Sequence, residues 1–166
     1  MATEIERKFL LANDGWRMQY VRQERIRDGL IANAAGRKVR VRAYDDRATL
    51  TVKAKTSGSR DAEYGYEIPL TDADELLATH CDGRVLSKTR YYVPYKGFTW
   101  EIDEYHGVLD GVVLAEVELS REDVEVPLPP WVGEEITGRP EYKKSNMHAA
   151  RLAAPATASG AIPRQH

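Results

Sequence analysis

The chain is poor in the residues that staple, ligate or stack. It has one cysteine, Cys81, among 166 residues, which excludes an internal disulfide and a cysteine-rich zinc site. Cys81 has no triad context and reads as a structural thiol. The four histidines, His80, His106, His148 and His166, lack zinc-ligand spacing. Aromatic residues are few, and Trp16, Trp100 and Trp131 read as packing residues rather than base-stacking platforms. Neither a Walker A loop nor a G-x-G-x-x-G motif occurs, which excludes a P-loop or Rossmann nucleotide site. Charge of one sign is also missing. Lys plus Arg number 24 against 26 Asp plus Glu, for a net charge of −2. No global basic field is there to hold nucleic acid or an anionic membrane, so a bound anion must meet a local cluster of cations. The opening residues, MATEIERKFL, carry charge at once. Neither a signal peptide nor a membrane span is expected, and a cytoplasmic protein is the default. Internal repeats and linkers are absent, and the length suits one domain with a proper core.

Helical periodicity is scarce as well, and what fills its place is strand-like alternation. Period-two geometry puts residues i, i+2 and i+4 on one face of a strand. Thr3–Leu11 alternates, with Glu4, Glu6 and Lys8 on one face. Residues 37–44 place Arg40 and Arg42 opposite Val39 and Val41; residues 49–55 place Thr51, Lys53 and Lys55 opposite Leu50, Val52 and Ala54. Residues 62–68 set Glu63, Gly65 and Glu67 against Tyr64, Tyr66 and Ile68. In the second half, residues 85–94 carry Lys88, Arg90 and Tyr92, residues 98–105 carry Glu101 and Asp103, and residues 112–119 carry Glu116 and Glu118. A less regular segment, residues 20–31, makes an eighth strand. Asp45-Asp46 and Lys96-Gly97 read as tight turns, and residues 56–59 as a longer polar loop. Helices are expected only at 13–19, at 71–80 behind acidic Asp72, Asp74 and Glu75, and at 144–152. The tail, residues 153–166, is of low complexity. Lys143-Lys144 reads as a solvated pair.

Eight sequential strands with short connections imply a mostly antiparallel sheet or barrel. Its charged face could be an ordinary solvated face. Three features argue otherwise. The positions are nearly all ionic, they are sorted by sign from strand to strand, and like charges two apart repel without partners beside them. The bases Lys8, Arg40, Arg42, Lys53, Lys55, Lys88 and Arg90 nearly balance the acids Glu4, Glu6, Glu63, Glu67, Glu101, Asp103, Glu116 and Glu118. Such a field suits a polyanion together with hard cations.

The same residues carry a resemblance. Glu4-x-Glu6-x-Lys8, Arg40-x-Arg42, Thr51-x-Lys53-x-Lys55, Glu63-Tyr-Gly-Tyr-Glu67, Lys88-Thr-Arg90, Glu101-Ile-Asp103 and Glu116-Val-Glu118 follow one another in the order found in the CYTH superfamily, the triphosphate tunnel metalloenzymes. The chain resembles the short bacterial single-domain members over residues 1–152. The resemblance implies a mainly β (α+β) fold: an eight-stranded antiparallel β-barrel forming a tunnel, charged side chains inward, with a few short peripheral helices. It implies metal-dependent hydrolysis of a triphosphate, foremost inorganic tripolyphosphate, with release of orthophosphate. A class IV adenylate cyclase and a non-catalytic polyphosphate- or nucleotide-binding module are the alternatives. By the same resemblance, Glu4, Glu6, Asp103, Glu116 and Glu118 are the candidates to hold Mg²⁺ or Mn²⁺, which favour hard oxygen donors. Lys8, Arg40, Arg42, Lys53, Lys55, Lys88 and Arg90 are the candidate phosphate-binding bases, with Lys8, Lys53 and Lys88 the catalytic candidates among them; Glu63 and Glu67 are supporting tunnel acids. The implied partner is a small triphosphate, not nucleic acid or membrane, and the protein is expected as a monomer or homodimer. Two departures stand out. Relatives commonly read Gln-Gly-Tyr-Leu where this chain has Asp28-Gly29-Leu30-Ile31, and often carry an acid where it has Gly65.

Overall fold

The computed structural model describes residues 3–57 and 60–153. Eight strands form the barrel wall: β1 (Thr3–Leu11), β2 (Arg22–Ala34), β3 (Arg37–Ala43), β4 (Ala48–Ser57), β5 (Arg60–Ile68), β6 (Val85–Tyr95), β7 (Phe98–His106) and β8 (Val113–Glu118). A short ninth strand, β9 (Val132–Glu135), and two helices, α1 (Leu70–Thr79) and α2 (Lys144–Ala153), complete the described regular structure apart from single 3-10 turns. Neighbours run β5-β4-β3-β2-β6-β7-β8-β1, all antiparallel, and β1 pairs back onto β5 through Thr3↔Ala62, Glu4↔Asp61 and Ile5↔Arg60. Closure removes the sheet edges that would otherwise need protection. Above Ile5 the same edge of β1 is taken by β9, through Phe9↔Glu135 and Leu11↔Val132.

Local chemistry explains the tight joins. Lys96 and Gly97 sit at φ 45° and 86°, and Ala35 and Gly36 at 51° and 74°. Two successive left-handed residues match the twist of the strands they connect. The Ala35-Gly36 turn ends a β2 that runs three residues beyond the end expected from the sequence. A bulge between Leu30 and Ala32 breaks the period there, so the sequence signal stops while the pairing continues. The expected helix at 13–19 is only a 3-10 turn, Gly15–Met18. The helix expected at 71–80 begins at Leu70, just after Pro69. Of the expected polar loop 56–59, Thr56 and Ser57 belong to β4, and the other two positions lie outside the described residues. So do residues 154–166 of the expected tail.

With charge pointing inward, the main apolar packing lies outside the wall. Phe9, Trp100, Ile102, Ala115 and Val117 point outward and are covered by Trp16 and Trp131. Trp100 meets Phe9 and Trp131 edge-on at 5.3 and 5.7 Å, a favoured aromatic geometry. Helix α1 lays Ala73 and Leu77 on Val41, Ala43 and Ala48. Part of the barrel interior is apolar too. Leu86, Tyr105 and Leu114 share the inward faces of β6, β7 and β8 with the charged residues, and they pack with Ile136, Tyr142 and Met147 of α2. Helix α2 therefore closes that part of the barrel with an apolar plug.

The close seat of α1 depends on Gly29. A Cβ there would stand 2.5 Å from Cys81 Sγ and 2.6 Å from Leu77 Cδ2. Gly29→Ala is expected to lower stability by about 1–3 kcal/mol, the usual cost of overpacking. Gly65→Ala, whose Cβ would meet only Thr51 Oγ1 at 3.9 Å, should stay near wild type. Urea denaturation midpoints of the two variants check the contrast.

Candidate functional site

The inward residues enclose a cavity of about 1230 Å³. One wall is a row of buried charges whose signs alternate across β3, β2, β6 and β7. Arg42 donates to both oxygens of Asp28, at 2.5 and 3.1 Å. Lys88 Nζ lies 3.2 Å from Asp28 and 2.9 Å from Asp103. Arg90 grips Asp103 at 2.7 and 2.9 Å and reaches Glu101 at 2.5 Å. Pairing positions make this possible: Asp28 stands opposite Arg42, and Arg90 opposite Asp103. Burial opposes ionisation of Asp28 and Asp103. The adjacent cations outweigh it and hold both carboxyls below the usual range.

Across the cavity, acids face acids. Glu6 stands opposite Glu118, Glu116 opposite Glu101, and Glu4 opposite Asp61. Like charges directly across a strand pair repel; Arg90 offsets Glu101, and ammonium groups offset the others. Lys53 Nζ is 2.5 Å from Glu4, 3.3 Å from Asp61, 3.9 Å from Glu63 and 4.0 Å from Glu6. Lys8 Nζ is 3.5 Å from Glu116. The offset is incomplete. The charge of Glu116, with burial and Glu4 behind it, pushes Glu6 up to about 8, whereas burial at Glu116 is outweighed by Lys8, Lys144 and Arg90 together, which hold it low.

The expected residues divide accordingly. Glu4, Glu6, Glu116, Glu118, Lys8, Arg40, Arg42, Lys53, Lys55, Glu63 and Arg90 all line one cavity. Lys88, 1% exposed, and Asp103, 2% exposed, lie behind its surface in the buried row. Both oxygens of Asp103 are occupied by Arg90 and Lys88, which sets it apart from the other expected metal carboxylates. Glu67 is exposed and does not line the cavity. Four participants carry no part in the sequence reading. Asp28 shares the inward face of β2 with Leu30. Lys38 lies two residues before Arg40, and Asp61 two before Glu63; both extend alternations that the sequence already displays. Lys144, read as solvated, instead reaches Asp28 at 3.5 Å. Burial and the nearby Lys88 depress its ammonium against the pull of Asp28.

The description of the CYTH domain matches residues 2–152. The chain belongs to the CYTH family. An inorganic triphosphatase of Acetivibrio thermocellus is 40% identical to this CYTH domain over 147 residues, 89% of this chain and 94% of that protein. An inorganic triphosphatase of Nitrosomonas europaea is 35% identical over 152 residues, 87% and 96% of the two chains. The crystal structure of the inorganic triphosphatase NE1496 superposes with a TM-score of 0.63 at 32% identity, covering 93% of this chain and 98% of that one. Among the described residues no helix is long and apolar enough to cross a membrane.

The family implies a divalent metal, and the donor set of this CYTH domain fits one. Among the described residues no three carboxylates stand ready in liganding positions; lysines hold them. Yet Glu4, Glu6, Glu116 and Glu118 offer hard oxygens from two paired strands, the ligand type that Mg²⁺ and Mn²⁺ take. Their mutual repulsion is the kind that a cation relieves.

The raised Glu6 carboxyl has a consequence for stability. An unfolded glutamate loses its proton near pH 4.3, whereas Glu6 in the fold keeps it to about 8. Between those values the folded state binds more protons, so stability falls as pH rises. Without divalent cations, the wild-type Tm should fall more steeply from pH 5 to 8 than that of Glu6→Gln. The difference isolates Glu6 from depressed lysines, which act in the opposite sense. Saturating Mn²⁺ should remove it. Calorimetric scans across the range check this, and parallel wild-type and Glu6→Gln curves would contradict it.

Proposed function

We propose that this CYTH domain hydrolyses inorganic tripolyphosphate to release orthophosphate, with Mg²⁺ or Mn²⁺ as cofactor, in the cytoplasm and as a monomer or homodimer. The observation that carries the reading is Arg40. Its Nε is buried without a hydrogen-bond partner, its side chain lines the cavity, and its ion-pair distance to Glu63 is a long 4.0 Å. An unsatisfied buried donor is costly, and a phosphate oxygen is the acceptor that a guanidinium fork fits. The curated relatives, both named inorganic triphosphatases at 40% and 35% identity, support tripolyphosphate as the substrate.

The parts follow from the geometry. Glu4, Glu6, Glu116 and Glu118 would hold the metal. When bound, the metal neutralises phosphate charge and lowers the pKa of an attacking water. Arg40, Lys8 and Lys53 bind phosphate oxygens, with Lys55, half exposed, at the rim. Lys8 and Lys53 lie closest to the carboxylates, so they stabilise the charge that develops during transfer. Arg42 and Arg90 present the positive side of the buried row to the phosphates. Lys88 and Asp103 position that row from behind, and Glu63 orients Arg40 and Lys53. Phosphoryl transfer asks mainly for such positioning and charge neutralisation.

Phosphate release from tripolyphosphate, ATP and thiamine triphosphate, with Mg²⁺ and with Mn²⁺, tests the reading. Tripolyphosphate should turn over and excess chelator should stop it. Cyclic AMP from ATP would favour a cyclase, and tight binding without turnover a binding module. Arg40→Ala should forfeit about 1.5–3 kcal/mol of charged hydrogen bonding. That is a roughly 10- to 100-fold loss in kcat/KM for tripolyphosphate, and unchanged constants would sink the assignment.

Leu30 lines the cavity without a group that can hydrogen-bond, where relatives commonly place tyrosine. A modest wild-type rate is therefore expected. One hydroxyl is worth on the order of 1 kcal/mol, so Leu30→Tyr should raise the tripolyphosphate rate several-fold in the same assay.

A further inference from the structure

Asp28 has no part in the proposed reaction, yet the cationic side of the cavity converges on it. It stands on β2, 5% exposed. Arg42 of β3 donates to both its oxygens. Lys88 of β6 lies 3.2 Å from Oδ2, and Lys144, the first residue of α2, lies 3.5 Å from the same oxygen. Three elements thus meet at one carboxylate. The other buried acid in the row, Asp103, is already shared by Arg90 and Lys88. Without the charge of Asp28, the Lys144 ammonium would face Lys88, Arg42 and Arg40 with only Asp103 and Glu116, neither of which forms an ion pair with it, to attract it.

Lys144 differs from Lys88 in one respect that matters. The Lys88 side chain is wholly buried, whereas that of Lys144 is 28% exposed and lines the cavity. The side chain therefore has a side open to the cavity. The leucine that leaves the wall without a hydrogen bond, Leu30, faces the same cavity from the same strand as Asp28. Asparagine or glutamine at position 28 could accept a hydrogen bond but could not offset three converging cations.

We propose that Asp28 is a positioning residue that anchors Lys144 at the cavity wall, adding a cation from α2 to the set that binds the polyphosphate. This rests on the triphosphatase reading. A purely structural Asp28 would lower Tm and leave the kinetic constants alone. A positioning Asp28 acts through Lys144, so the two substitutions must not multiply.

The test is a double-mutant cycle on tripolyphosphate hydrolysis, paired with calorimetric binding of tripolyphosphate in the absence of metal. Lys144→Gln should raise KM about ten-fold and change kcat less than about three-fold, the order expected for one lost charged contact. Asp28→Asn should do the same. The double variant should stay near ten- to twenty-fold, not the roughly hundred-fold of independent sites. Metal-free binding should weaken in the same order, and Asp28→Glu should recover part of the loss. Multiplying effects, or a Lys144→Gln enzyme with wild-type KM, would overturn the proposal. If Asp28→Asn does not fold, Lys144→Arg against Lys144→Gln decides. Arginine should keep a near wild-type KM, and equal constants for the two overturn the assignment. A wild type that neither binds nor hydrolyses tripolyphosphate overturns the triphosphatase reading instead. A wild type that does both, with every variant unaffected, overturns the role of Asp28 alone.

Discussion

The structure hangs on the alternating row Arg42, Asp28, Lys88, Asp103, Arg90 and Glu101. Desolvating an isolated charge costs several kcal/mol, and ion pairs offset that only with good geometry and satisfied hydrogen bonds. Here the geometry is good because it is set by strand pairing. Asp28 and Arg42 are direct neighbours, as are Asp103 and Arg90, and Lys88 bridges the two pairs. Asp28 and Asp103 each sit between cations. The row can therefore be buried in four adjacent strands, and an eight-stranded barrel can close around charge instead of a conventional core.

Closing around charge moves the apolar burden outward. Trp16, Trp100, Trp131 and Phe9 pack on the outside of β1, β7 and β8, and α1 covers β2 to β4 only because Gly29 lets it approach. Within the barrel, Leu86, Tyr105 and Leu114 form the seat for Met147 and Tyr142. That seat holds α2 so that its first residue, Lys144, reaches Asp28. The apolar plug and the ionic row are thus coupled through one helix: the plug fixes where the helix lies, and the row receives its cation.

Much of this was legible because alternation survives wherever pairing is regular. The predicted bounds of β1, β6 and β7 lie within a residue of those observed, and period two alone groups the residues from Glu4 to Glu118 on one face of their strands; that this face points inward is what the family resemblance supplies. The failures have physical causes. The bulge at Leu30 and Ala32 hides the end of β2. Strand β9 is four residues, Val-Gly-Glu-Glu, too short to establish a period, and exists because β1 leaves an edge open above β5. Glu67 keeps the inward phase but stands beyond the cavity, since phase says nothing of depth. Asp103 shares a face with Glu101, and only the positions of Arg90 and Lys88 decide that its oxygens are taken. Lys144 looks solvated in the sequence because neither of its neighbours there reveals that α2 turns into the barrel.

The chemistry of the site follows from what the row leaves over. Its charges nearly cancel among themselves, so it stiffens one wall without spending its own field on the rest. The opposite wall is not balanced in this way. Glu6 faces Glu118 and Glu4 faces Asp61 across strand pairs, Lys53 is divided among four acids, and Arg40 keeps a buried Nε without an acceptor. Excess acid and unsatisfied base stand side by side in one cavity. Neither a lone cation nor a lone anion relieves both, because each would worsen the repulsion it does not address. A polyphosphate with its metal relieves both together, its oxygens satisfying the bases and its cation the glutamates. Preorganised charges of this kind need little rearrangement when phosphate charge shifts during transfer. The imbalance that makes the empty barrel costly is therefore the same feature that suits it to a metal-bound polyanion.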